Sequence, residues 1–142
     1  MATTIERDPK FAGLIPAVVT LAAAAATKYI KGTFVCRDAN GRAAVPAAGL
    51  HAHGVAVATF DNTSGANDAM DVEAATGVFM FNYTGTAPKP GEFVYVSDND
   101  TVTLTASTNG IAGVCTEVRS GKAHVWVSPI AVALAISDAD GD

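Results

Sequence analysis

The chain has 142 residues and a net charge of -5, with 16% charged and 49% hydrophobic residues. This length suits one domain with its own hydrophobic core, and it needs no disulfide or metal to hold that core together. Nucleic-acid binding is disfavoured, because phosphate contacts require clustered Lys and Arg, whereas the nine basic residues here are scattered. A composition this poor in charge suits either an ordinary compact β domain or a protein whose surface is partly covered by partners.

Residues 1–16 are predicted to form an N-terminal arm. The arm is polar up to Lys10. Its remaining residues, 11–16, are apolar, and their side chains are candidates for contact with a partner. The apolar stretch Phe11–Ala26 is too short and too interrupted to cross a bilayer. Glu6 and Asp8 offset the cationic start expected of a signal peptide, so we expect a protein made inside the cell and not bound to a membrane. The candidate contact residues are Phe11, Leu14, Ile15 and, just beyond the arm, Val18.

The first half of the chain then reads as short strands separated by turns. The alanines before Thr27 are too few for a stable isolated helix, so Ala22–Ala26 is predicted to be extended or irregular. A turn is expected at Asp38–Gly41, and a polar loop at Asp61–Ala69. The predicted strands are Ala17–Leu21, Gly32–Cys36, Gly54–Phe60, Asp71–Ala74 and Gly77–Tyr83.

The second half continues the same pattern with runs rich in β-branched and aromatic residues. We therefore predict an all-β fold, a small antiparallel barrel or sandwich spanning residues 17–128. Residues 129–142 are predicted to form a C-terminal segment that ends in a solvated acidic tail. The predicted strands are Gly91–Val96, Thr101–Thr105, Ile111–Val118 and His124–Val127.

A weak internal repeat accompanies these strands. Sliding Gly32–Val55 onto Gly91–Val114 without a gap aligns several glycine, phenylalanine and valine positions. Either the fold contains two related units, or the ordinary requirements of β-hairpins produce the same matches. In both segments a Gly-Val pair opens a strand, which indicates a bulge or a close approach of two backbones.

The sequence offers little for catalysis. The pair His51 and His53 could share one face of an extended segment, but a third metal ligand is lacking nearby, and two polar loop residues are the better interpretation. Cys36 and Cys115 have no metal-ligand spacing and are predicted to be buried free thiols, with a disulfide as the alternative. We therefore predict no metal, no cofactor and no enzymatic activity. A hydrolase using His51 or His53 with Asp61 is the disfavoured alternative.

The last strand suggests an interface. Val125 and Val127 alternate with His124 and Trp126, so that the valines face the core and the other two face outward. An outward tryptophan is either covered by a loop or used as an anchor in an interface. We favour the interface, and His124 and Trp126 are its candidate residues.

The order of these strands resembles that of small head decoration (capsid cement) proteins of tailed bacteriophages. The resemblance spans roughly Val18–Val127 and lies in the spacing of strands and glycines. It implies a β-barrel-like, non-enzymatic virion protein that binds the major capsid protein on the outside of the head, often as a homotrimer, and stabilises the shell. The segments that carry it are Lys31–Val35, Gly54–Ala56, Gly77–Phe79, Pro90–Val96 and Gly110–Val114.

Other functions remain open beside this one. A tail or fibre component, or a carbohydrate-binding module, would need an exposed aromatic platform, for which Phe79, Phe81 and Tyr83, or Trp126, are the candidates. Core packing accounts better for Phe79 and Phe81, because they alternate with other residues along a strand. The long Asp61–Asp71 segment and the N-terminal arm depart from shorter members of the family.

Overall fold

The structure, a computed structural model, describes residues 17–140 as eleven strands and one helix. It confirms the predicted all-β fold and contains a closed five-stranded barrel with further strands around it. The elements are β1 (Ala17–Ala22), β2 (Thr27–Tyr29), β3 (Phe34–Arg37), β4 (Ala43–Ala44), β5 (Ala52–Ala56), β6 (Phe60–Asn62), β7 (Asp71–Thr84), β8 (Phe93–Asp98), β9 (Thr101–Thr103), β10 (Ile111–Arg119), β11 (Lys122–Val127) and α1 (Pro129–Asp140).

The barrel consists of the second half of β7 together with β9, β8, β10 and β11. Neighbouring strands pair in that order, and β11 returns to pair with β7, which closes the ring. All of these pairings are antiparallel except that of β7 with β9. Alternate residues of each strand point inward, so the interior is filled mainly by small aliphatic side chains. The buried residues include Phe81, Val94, Val102, Cys115 and Val125.

Strand β7 organises the whole molecule. The sequence predicts two strands here, Asp71–Ala74 and Gly77–Tyr83, but the structure joins them into one strand of 14 residues. The first half of β7 pairs with β1 and β5, whereas its second half pairs with β11 and β9. One continuous strand is therefore shared by two groups of strands.

The first group, which we call the N-terminal ring, contains β1, the first half of β7, β5, β3 and β4. A single parallel bridge between Ala23 and Ala43 completes it. Its core holds Val35 and Val72 and the fully covered Tyr29, whose hydroxyl donates to the carbonyl oxygen of Ala43 at 2.7 Å. The N-terminal ring is thus a smaller counterpart of the barrel, with its own hydrophobic core.

The two units share one strand register. Each residue pair between β3 and β5, and between β3 and β4, has a counterpart 59 residues further along the chain. The parallel bridge between Ala23 and Ala43 has a near counterpart in the parallel pair of Tyr83 with Val102, although the step from Ala23 to Tyr83 is one residue longer than 59. This agreement goes beyond the sequence matches and shows two structurally related units. The β3–β5 pairs are Phe34–Val55, Val35–Gly54 and Cys36–Ala52. They correspond, in that order, to the β8–β10 pairs Phe93–Val114, Val94–Gly113 and Tyr95–Ile111.

Both units also contain the close approach that the Gly-Val pairs predict. The register shifts just before Gly54 in β5 and just before Gly113 in β10. A Cβ built on Gly54 would lie 2.8 Å from the Cβ of Ala74, and one on Gly113 would lie 2.0 Å from the carbonyl oxygen of Trp126. Only glycine allows the neighbouring strand to come this near.

The C-terminal segment contains a helix that the sequence did not predict, because residues Pro129–Asp140 are helical and include the beginning of the expected acidic tail. The Ser128 hydroxyl oxygen accepts a hydrogen bond from the backbone N–H of Ala131 at 3.1 Å, and Pro129 occupies the first helical position, both of which favour a helix start. Val132 and Ala135 pack against Ile111 on the outside of the barrel. Within residues 17–140, no helix is long and apolar enough to span a bilayer.

Candidate interaction surface

One outward face of the barrel is apolar, and we call it the outer patch. Trp126 of β11 lies directly opposite Val78 of β7 on one side and Val114 of β10 on the other. Residues paired in this way point to the same face of a sheet. Met80, one pleat further along β7, extends the row, and it is 66% exposed, while Val78 is 41% exposed. The outer patch therefore consists of Val78, Met80, Val114 and Trp126.

Strand alternation places these side chains outside. Along β11, Ala123, Val125 and Val127 are fully buried, which leaves His124 and Trp126 on the opposite face. The close approach at Gly113 brings the backbone of β10 against that of β11 at Trp126. The Trp126 side chain is half-buried on this outward face, and a partly exposed tryptophan is a suitable anchor residue for an interface.

A polar border lies beside the outer patch. His124 is opposite Met80 on β7 and opposite Glu117 on β10, and its Nδ1 is 3.4 Å from Glu117 Oε1. Glu117 Oε2 also accepts from Arg119 Nη2 at 3.2 Å. This combination of an apolar centre and a charged, solvated border is typical of protein–protein interfaces.

The structure brings together two of the six predicted contact residues, His124 and Trp126. Val18 is 59% exposed, but its partner on β7 is Ala75, three residues from Val78, so the two valines face opposite sides of the sheet. Phe11, Leu14 and Ile15 lie outside the described residues.

The sequence did not single out Val78 and Met80 as contact residues. The signal was nevertheless present, because an inward Phe79 and Phe81 require Val78 and Met80 to point outward.

The aromatic residues of β7 are core residues, as their alternation indicates. Phe81 is buried, and its ring stacks on that of Phe34 with centroids 4.2 Å apart. Phe79 and Tyr83 are partly buried against the same core. These three rings therefore do not form an exposed platform for sugars, and Trp126 remains the aromatic candidate for that role.

The structure also places the cysteines and the His51–His53 pair that the sequence analysis considered. Cys36 and Cys115 are both buried free thiols, as predicted, and burial raises the pKa of Cys36 to about 12. His51 and His53 line a cleft beside α1. In the part of the chain that the structure describes, no three His, Cys, Asp or Glu residues come together as a metal site would require.

Comparison of the chain with protein-family models, curated proteins and solved structures found no match.

Proposed function

We propose that this protein is a non-enzymatic structural component of a tailed-phage virion, which binds the outer surface of the head as a homotrimer and stabilises the shell. The observation that supports this proposal is the outer patch, an apolar face with Trp126 at its centre on the wall of a closed barrel. The sequence resemblance to head decoration proteins supplies the identity of the partner, the major capsid protein.

The barrel suits such a role for energetic reasons. Its strands pair in a closed ring, so the outer patch is presented without the entropic cost of ordering a loop on binding. Val78 and Met80 expose apolar area that gains stability when water is removed from it. A modest contact repeated at many lattice positions of a head, and by several subunits of one oligomer, produces strong retention.

The proposal is tested by adding purified protein to heads that lack it and measuring what sediments with them. We expect Trp126→Ala to cost about 2 kcal/mol or more in association, and Met80→Ser to weaken retention as well. Ile30→Ser is the matched control, because Ile30 is 42% exposed and lies on the segment between β2 and β3, away from the outer patch. Unchanged retention of both patch variants, or an equal loss with Ile30→Ser, would contradict the role of this face.

The N-terminal arm is tested separately. Deletion of residues 1–16 removes no residue of the N-terminal ring or of the barrel, so we expect a folded protein with unchanged β-sheet circular dichroism. We also expect the deletion to abolish head binding, because the arm carries the apolar candidates Phe11, Leu14 and Ile15. Full binding by the truncated protein would reject the arm's part in the proposal.

A carbohydrate-binding module of a tail or fibre is the second candidate, and the half-buried Trp126 is the observation that favours it. Light scattering coupled to size exclusion separates the two candidates in part, since a trimer is expected of the head protein. Glycan binding that is lost in Trp126→Ala, together with no sedimentation with heads, would favour the module.

A further inference from the structure

A cleft of about 270 Å³ opens between α1 and the strands of the N-terminal ring. One wall belongs to β3 and to the beginning of β5, and it carries Arg37, His51 and His53. The opposite wall is formed by apolar residues of the helix. The residues of the helical wall are Pro129, Val132, Ala133 and Ile136.

The strand wall is rich in nitrogen-bearing groups. Nδ1 of His51 accepts a hydrogen bond from the backbone N–H of Ile111 at 2.9 Å, so Nε2 is the ring nitrogen available to a ligand. Burial, and then the nearby charge of Arg37, lowers the pKa of His53 and so favours its neutral form. Arg37 forms no ion pair with any other described residue. The wall therefore offers one fixed positive charge and two imidazoles.

The second unit provides an internal comparison for these positions. With the shared 59-residue offset, Arg37, His51 and His53 correspond to Val96, Gly110 and Ala112, which are all buried. His53 and Ala112 each sit at the register shift before the Gly-Val pair. The same backbone arrangement thus forms without any nitrogen-bearing side chain, and the fold does not require Arg37 or His53 at these places.

We propose that this cleft binds a small organic carboxylate, with its charged end at Arg37 and the two histidines and its hydrocarbon part against Val132, Ala133 and Ile136. Guanidinium groups recognise carboxylates through paired hydrogen bonds. A pocket that joins a few convergent polar groups to an apolar wall is the usual form of a small-molecule site. The proposal does not depend on the function proposed above.

Binding is also expected to depend on pH. The cleft by itself disfavours the protonated imidazole of His53, whereas a bound carboxylate beside it would favour that form. The affinity for the carboxylate should therefore rise as the pH falls. The other groups facing His53 are Arg37 from β3 and His51, which directly precedes β5, and the described helical residues that line the cleft carry no charge.

The test follows the histidine ring and arginine Nε–H signals of the full chain by NMR during titration with hexanoate. Hexanol, which has the same tail and no charge, is the ligand control. We expect saturable shifts at Arg37, His51 and His53 with a millimolar Kd for hexanoate, and no such response to hexanol. Arg37→Gln and His53→Ala should each weaken hexanoate binding, the former about tenfold or more. Alanine is a safe choice at position 53, because Ala112 occupies the equivalent place.

Arg119→Gln serves as the matched control, since Arg119 is an exposed arginine at the end of β10, paired with Glu117. It should leave the Kd unchanged. Hexanol binding as well as hexanoate, unaltered binding by Arg37→Gln, or an equal loss in Arg119→Gln would each overturn the proposal.

Discussion

Among single residues, Gly113 has the tightest control over strand packing, because β10 and β11 approach each other at a point where a Cβ atom would not fit. We expect Gly113→Ala to destabilise the protein by about 3 kcal/mol or more, because its Cβ would meet the Trp126 carbonyl oxygen at 2.0 Å and the backbone would have to shift. Gly54→Ala should cost less, since its nearest contact is 2.8 Å. Urea denaturation measures both.

Gly85→Ala is the control for these two variants. Gly85 has a φ of +74° but nothing within 4 Å of a Cβ built there, so it should lose only about 1 kcal/mol, for backbone strain. A Gly113→Ala protein no less stable than Gly85→Ala would contradict the close approach.

The thiol of Cys36 makes stability depend on pH in the alkaline range. Its pKa rises from an ordinary 9.0 to about 12 on folding, so above about pH 9 the unfolded chain ionises while the folded chain does not. The free energy of unfolding should therefore fall between about pH 9 and about pH 12. Cys36→Ala should show a shallower fall in denaturation curves recorded across this range. An identical slope in both proteins would contradict the assignment.

At the scale of single elements, the start of α1 depends on Ser128. Ser128→Ala removes the hydroxyl that caps the N–H of Ala131, and we expect a loss of about 1 kcal/mol in thermal or urea unfolding. Ser137→Ala, at an exposed position late in the same helix, should be neutral or slightly stabilising, because alanine favours helices. Equal effects of the two changes would mean that the cap contributes nothing.

The elements differ in how well the sequence predicts them. Strands such as β8 and β11 follow from alternation of β-branched residues, which is a local property. The sequence did not predict the helix because the helix is not amphipathic. Apolar residues occupy its exposed side, as Ile130 and Leu134 do, as well as its buried side, where Val132 and Ala135 lie. The Ser-Pro pair at its start was the readable signal. The continuity of β7 depends on neighbours distant in sequence, which no local pattern reports.

At the scale of the whole molecule, the closed barrel was predictable as a class but not as a topology. The parallel pairing of β7 with β9 and the two-unit arrangement both depend on long-range register. The candidate surface was predictable in part. Trp126 and His124 followed from alternation along β11, whereas Val78 and Met80 join them only because β11 returns to β7. The cleft beside α1 required knowledge of a helix that the sequence did not predict.

Because β7 contributes its first half to the N-terminal ring and its second half to the barrel, neither unit can melt without releasing a strand of the other. Two hydrophobic cores should therefore behave as one cooperative unit. We expect a single calorimetric transition, with a van't Hoff enthalpy equal to the calorimetric enthalpy. Two separate transitions would contradict this coupling. The shared strand makes the unfolding of this two-unit molecule all-or-none. A partly unfolded chain in which only the N-terminal ring or only the barrel stays intact should therefore not be populated.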